Sequence, residues 1–296
     1  MESKGNISEY QSRHGSIRRQ DLLCLLLYYL QYSKIRTHLF SWRKTPITRI
    51  LAFHDVLDTQ RDSFREQLRI VKSVANVVTL EDVVTGKLSS ERINVAITFD
   101  DGFQGWVEHA SPILKEFGMN ATFFVSSGLI GLRGKDEREF LENKLMSSQY
   151  SNGRLITADA LRRLAEQGFC IGGHTCNHIN LGEIRDLAGI LAEIQKDKHN
   201  LEKITGTTIN FFAYPFGVYK NKYFDMVSLL EDSGYKGAVT LVPGFITGRT
   251  NRFVLGRDLV NPSMSPSVFK ARMMGNYDPV MYTRKLLQLA KIATTS

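Results

Sequence analysis

Cysteine is scarce in this chain: three residues, Cys24, Cys170 and Cys176, an odd number with no short pair spacing. That excludes a disulfide framework and points to a reducing compartment, so the expected location is cytoplasmic. Long apolar runs are missing as well. The longest, Leu22 to Leu30, holds nine residues, where a bilayer span needs roughly 20. Asp21 abuts that run and no small-residue cleavage site follows it, which argues against a secretory signal. A basic stripe interleaved with stacking aromatics is also lacking. Of the net charge of +8, residues 1–49 carry +6 and residues 267–296 carry +4, leaving −2 for the stretch between. A nucleic-acid partner is therefore excluded. The basic residues behind the apolar run, Lys34, Arg36, Arg43 and Lys44, suit two readings equally. Either a helix lies on the anionic inner face of a membrane as a peripheral contact, or it packs on the domain.

What is present is enough for one large core: 296 residues, 43% hydrophobic and 23% charged. Three segments are expected: a basic, partly apolar helical stretch over 1–47, an α/β domain over 48–262, and a basic helical extension over 263–296. Within the domain, strands are expected over 50–54, 77–80, 94–100, 121–125, 169–173, 209–214, 236–241 and 253–259. Helices are expected over 62–75, from Thr79 through 84, and over 106–117, 158–167, 185–204 and 223–233. A charged excursion over 131–155 interrupts the alternation. The fold class is α/β, and such βα alternation makes a mainly parallel sheet, open or closed as a barrel.

The chemistry sits where these strands stop. Asp100 and Asp101 follow the apolar run Asn94 to Phe99, and Gly102 comes next. Two adjacent carboxylates need a cation. Gly172-Gly173-His174-Thr175-Cys176-Asn177-His178 follows another short apolar run, and one carboxylate with two imidazoles suits a divalent metal with positions left for water and substrate. Cys176 is a weaker ligand choice, because soft sulfur beside a hard carboxylate is a less usual set. His54 and the turn Tyr214-Pro215-Phe216-Gly217 are also at strand ends, and in a βα barrel those ends meet on one face.

At these residues the chain resembles the polysaccharide deacetylase family, the carbohydrate esterases that share a NodB homology domain. Thr98-Phe99-Asp100-Asp101-Gly102 matches its first motif and His174-Thr175-x-x-His178 its second, while Ala213-Tyr214-Pro215-Phe216 is a weakened form of Arg-x-Pro-Tyr. The resemblance covers about residues 48–260 and implies a distorted (β/α) barrel with parallel strands. It implies Asp101, His174 and His178 as ligands of a divalent ion, Zn2+ first, with Co2+ or Ni2+ as alternatives. Asp100 would be the base that takes a proton from the attacking water, and the Phe216 backbone N–H would support the oxyanion.

Two departures matter. Ala213 stands where the family carries the arginine that pairs with the base, and Arg257, at a strand end, is the candidate replacement. No histidine follows His199, so the usual C-terminal acid is missing. His54 can serve from the first strand, which neighbours the last in a barrel, and Phe53-His54-Asp55 resembles the permuted members that deacetylate poly-N-acetylglucosamine exopolysaccharides. Asp55 would orient its imidazole or raise its pKa, favouring a charged acid at neutral pH. The leading expectation is removal of N-acetyl groups from an amino-sugar polysaccharide or oligosaccharide. The alternatives are a deacylase of a lipid-linked sugar at a membrane surface, and a degenerate carbohydrate-binding domain.

Overall fold

The computed structural model describes residues 46–144 and 153–278, together with Leu26. The apolar run 22–30, its basic flank and residues 279–296 otherwise lie outside the described residues. Eight strands form one sheet: β1 (Thr48–Phe53), β2 (Ala75–Val77), β3 (Ile93–Phe99), β4 (Thr122–Val125), β5 (Cys170–Gly173), β6 (Phe211–Ala213), β7 (Gly237–Val239) and β8 (Asp258–Leu259). Their order is β7-β6-β5-β4-β3-β1-β8, with β2 paired to β3, and every pairing is parallel. An isolated parallel bridge from Val239 to Leu255 brings the segment before β8 against β7. The sheet therefore curls on itself, and this is the distorted (β/α) barrel that the family resemblance implied.

The strands are buried on both faces, as parallel sheets must be when helices cover them. Side-chain period 2 sorts their residues. Ile50, Ala96, Phe124, Phe211, Ala213, Val239 and Leu255 fill the inside. Leu51, Phe53, Val95, Ile97, Phe99, Phe123 and Phe212 face outward, in one cluster with Phe64, Leu68 and Val71 of α1 (Arg61–Val74) and Leu161 and Leu164 of α5 (Ala158–Glu166). Each such Leu, Val or Phe removed from water contributes roughly 1.5–3 kcal/mol.

Several expected boundaries shift for identifiable reasons. β2 covers Ala75–Val77 rather than 77–80, because Thr79 caps α2 (Leu80–Thr85): its hydroxyl accepts the Asp82 N–H at 3.1 Å, and Asp82 accepts the Thr79 N–H at 2.9 Å. The helix expected over 106–117 is a π turn, Trp106–Ala110, leading into α3 (Ser111–Glu116); Pro112 has no N–H with which to continue an α ladder through that turn. The expected helix over 185–204 is α6 (Leu187–Leu191), a π turn (Ala192–Lys196) and α7 (Asp197–Thr205). The helix expected over 223–233 is α8 (Met226–Asp232). The last strand is only Asp258–Leu259, interrupted upstream at Gly256. The charged excursion contains α4 (Gly134–Glu139) and a π turn (Phe140–Lys144), and returns through a Phe103–Leu155 bridge. After β8 comes α9 (Pro266–Met273). Among the described residues, no helix is long and apolar enough to cross a membrane.

Candidate active site

Because all strands run parallel, the residues that follow β1, β3, β5 and β6 lie at one mouth of the barrel: His54, Asp100, His174 and Tyr214. The non-glycine residues with left-handed backbone, among those described, are Asp101 (φ 83°), Thr175 (φ 63°), His178 (φ 51°) and Phe216 (φ 59°). All four belong to this mouth. Backbone conformations that cost of order 1–3 kcal/mol each persist where surrounding contacts hold a site in shape.

Asp101, His174 and His178, the set the resemblance implied, meet at this mouth. Asp101 Oδ1 lies 3.1 Å from His178 Nε2 and 3.4 Å from His174 Nε2. The three donor atoms fall within 4.8 Å of one another, and all three residues are buried. Donors about 3.0–3.4 Å apart are what bonds of about 2.1 Å to one ion require. His174 Nδ1 is 2.7 Å from the Ala213 carbonyl, which only accepts, so Nδ1 carries the proton and Nε2 presents its lone pair to Asp101. Asp101 Oδ2 is buried and, among the described residues, has no hydrogen-bond partner. A buried carboxylate that turns Oδ1 to two imidazole nitrogens and leaves Oδ2 without a hydrogen-bond partner is a donor set that fits a divalent cation.

The charges of Asp101 and His178 agree with that fit. Burial opposes ionisation of Asp101, but His54, His174 and His178 hold its carboxyl well below the usual carboxylate range. Burial pushes His178 down, toward the neutral form a metal ligand needs. Burial works against the charged form of His174 too, yet the Asp101 and Asp100 carboxylates outweigh it and raise the group. Cys176 stays apart: Ser127 Oγ donates to its sulfur at 3.6 Å, and burial pushes the thiol up.

Asp100 and Arg257 form a fork-on-fork pair inside the barrel. Arg257 Nη1 donates to Asp100 Oδ1 at 2.7 Å and Nη2 to Oδ2 at 2.6 Å. Nη1 also donates to Thr98 Oγ1 at 3.0 Å, Nε donates to the Thr240 carbonyl at 3.0 Å, and the guanidinium lies 5.5 Å from the centre of the Phe124 ring. The strand end before β8 thus delivers the arginine that Ala213 on β6 cannot supply.

His54 Nε2 stands 3.7 Å from Asp101 Oδ2, with 12% of its side chain exposed. Asp55 is buried and accepts the Val56 N–H at 2.8 Å; burial pushes its carboxyl up to about 7. Phe216 sets its ring 4.9 Å from His178. Tyr214, by contrast, points into the core and is fully buried.

Sequence reasoning missed a carboxylate beneath the histidine loop. Asp197 Oδ2 accepts the His174 N–H at 2.9 Å and Oδ1 the Ser127 N–H at 2.8 Å, tying the ends of β5 and β4 to α7. Burial pushes this carboxyl up to about 7. Glu193 supports the same loop by accepting from Asn177 N and Nδ2 at 2.9 and 2.6 Å. A signal existed: Ile190, Ile194, Asp197 and Leu201 form one buried stripe, with a carboxylate where an apolar residue belongs.

Residues 87–238 match the family model described as polysaccharide deacetylase. A putative polysaccharide deacetylase of Bacillus subtilis, YxkH, is 27% identical over 177 residues, 60% of this chain; the chain spans 55% of that relative's length. A poly-beta-1,6-N-acetyl-D-glucosamine N-deacetylase of Staphylococcus aureus is 23% identical over 206 residues, covering 68% of this chain and 67% of the relative. In fold, IcaB from Ammonifex degensii superposes with a TM-score of 0.63 at 20% identity, over 78% of this chain and 97% of that one. This chain belongs to the polysaccharide deacetylase family.

Proposed function

We propose that the chain is a metal-dependent hydrolase that removes N-acetyl groups from an N-acetylated amino-sugar glycan. The observation that carries this reading is the Asp101, His174 and His178 donor set beside a carboxylate, Asp100, held at both oxygens by Arg257. The resident ion is proposed as zinc, with cobalt or nickel as substitutes; when bound it supplies Lewis acidity toward water and the amide carbonyl. Asp100 takes the proton of the attacking water, and Arg257 keeps its carboxylate in one orientation. The Phe216 N–H supports the oxygen on which negative charge develops. His54, part exposed and on the other side of Asp101, hands a proton to the departing amine. The substrate class is proposed from the relatives' named activity, β-1,6-linked poly-N-acetylglucosamine before other linkages.

The test couples metal content to acetate release. Full-length protein should bind about one zinc per chain and release acetate from β-1,6-linked N-acetylglucosamine oligomers. His54→Ala should lose at least tenfold in kcat with unchanged metal content, whereas His178→Ala should lose the metal. A protein that binds metal yet releases no acetate from any N-acetylated glycan would instead be a carbohydrate-binding domain.

A further inference from the structure

The two histidines of the donor set are held in different ways. His174 is oriented by a hydrogen bond from Nδ1 to the Ala213 carbonyl. His178 has no counterpart: its Nδ1 is buried and, among the described residues, without a hydrogen-bond partner. Metal-binding histidines almost always fix their ring through that second nitrogen, and losing such a partner typically weakens the metal 10–100-fold. Something else must set the His178 ring, more so because its backbone sits at φ 51° and gives the side chain an uncommon starting direction.

Aromatic edges surround it. Phe216 lies 4.9 Å away at 64°, His174 4.9 Å at 62°, and Phe140 5.7 Å at 89°. Phe140 is 4% exposed and comes from the excursion between β4 and β5, the part of the domain the sequence motifs leave unexplained. That excursion is itself anchored at the mouth. The Ile156 N–H donates to the Gly102 carbonyl at 2.8 Å, next to Asp101, and the Leu155 N–H donates to Glu137 Oε1 at 2.7 Å, one turn before Phe140.

We propose that Phe140 is a positioning residue for the metal ligand His178, its ring setting the imidazole plane by perpendicular packing where, among the described residues, Nδ1 has no orienting hydrogen bond. The excursion is then a working part of the metal centre. Perpendicular aromatic packing fixes a ring plane while leaving the imidazole nitrogens free to act as ligands. The proposal rests on the metal-site reading above, and its test separates the two.

Full-length parent, Phe140→Ala, Phe140→Leu and His178→Ala are stripped of metal. Zinc affinity is then measured by competition with a chromophoric chelator, and the visible spectrum is recorded after loading with Co2+. Phe140→Ala should bind zinc at least tenfold more weakly than the parent. Its cobalt bands should shift in position or intensity from those of the parent, a change that loss of stability alone would not produce, with the band-free spectrum expected of His178→Ala as the baseline. Phe140→Leu, which keeps apolar volume without a ring edge, should fall between, and it carries the decision should the alanine variant fail to fold. A parent that binds neither ion removes the metal-site reading itself. A parent that binds both, with the Phe140 variants matching it in affinity and spectrum, removes only the role of Phe140.

Discussion

Neither Asp100 nor Arg257 is tolerable alone inside the barrel, where their side chains are 3% and 0% exposed. Removing one partner of a buried pair leaves an uncompensated charge and costs about 3–5 kcal/mol, whereas replacing both with neutral groups is far milder. Arg257→Met should therefore lower the denaturant midpoint of the metal-free protein sharply, and the double variant Asp100→Asn/Arg257→Met should recover most of it. Acetate release should be lost in both. A double variant no more stable than the single would show that the pair does not act as a unit. Asp55 yields a pH prediction. Its carboxyl keeps its proton up to about 7 in the folded chain against an ordinary 3.8. Between those values the unfolded chain releases a proton that the folded chain retains, so rising pH favours unfolding through that window. Above about pH 7 the slope vanishes. The full span is on the order of 4 kcal/mol. In urea melts of the metal-free protein, Asp55→Asn, which keeps the acceptor for the Val56 N–H, should lose markedly less stability than the parent from pH 4.5 to 7.5. Equal losses would place Asp55 outside the effect. Asp100, Asp101, His174 and His178 were legible because each stands beside its motif neighbours at a strand end. Arg257 was legible only through the vacancy at Ala213. Asp55 was legible as a neighbour of His54, but its carboxylate turns to the Val56 N–H, a backbone bond that spacing does not reveal.

At the scale of the element, the π turn before α7 matters most. It sets Glu193 and Asp197 on one face, four residues apart, so that both reach the loop carrying His174 and His178. Periodicity alone reads 185–204 as one regular helix, because an extra residue in a helical turn is decided by what the turn packs against. The shortened β8 escaped for a similar reason: Phe253 to Leu259 is apolar enough for a strand, but the Val242 carbonyl oxygen occupies the space a Cβ at Gly256 would need. Asp197→Ala would leave the His174 and Ser127 N–H groups buried without partners, at about 1–3 kcal/mol each. Asp197→Asn keeps one acceptor oxygen. Stability of the metal-free protein and zinc affinity should both rank parent, Asn, Ala. An alanine variant with parental affinity would mean that the histidine loop holds its shape without this carboxylate.

For the whole molecule, the position of the base depends on how the barrel closes. The candidate metal ligands follow β3 and β5, in the middle of the sheet order, whereas Arg257 arrives from the far edge, between Leu255, bridged to β7, and β8, paired with β1. Alternation left the sheet open or closed, and closure was legible only through the family resemblance; the place where the edges meet was not, since it depends on contacts between residues far apart in sequence. Gly256 marks that place. A Cβ there would fall inside contact distance of the Val242 carbonyl oxygen, a backbone atom that can retreat only by moving the loop after β7. Gly256→Ala should therefore displace Arg257 while leaving the central strands alone. A misplacement of about 1 Å near the chemistry can cost 10²-fold in rate, so kcat for acetate release should fall by roughly that factor. Zinc content should stay at the parental value, since none of Asp101, His174 and His178 comes from the segment between β7 and β8. Parallel loss of zinc and rate would instead mean that closure of the barrel and assembly of the donor set are one event, and that the two halves of the site cannot be varied separately.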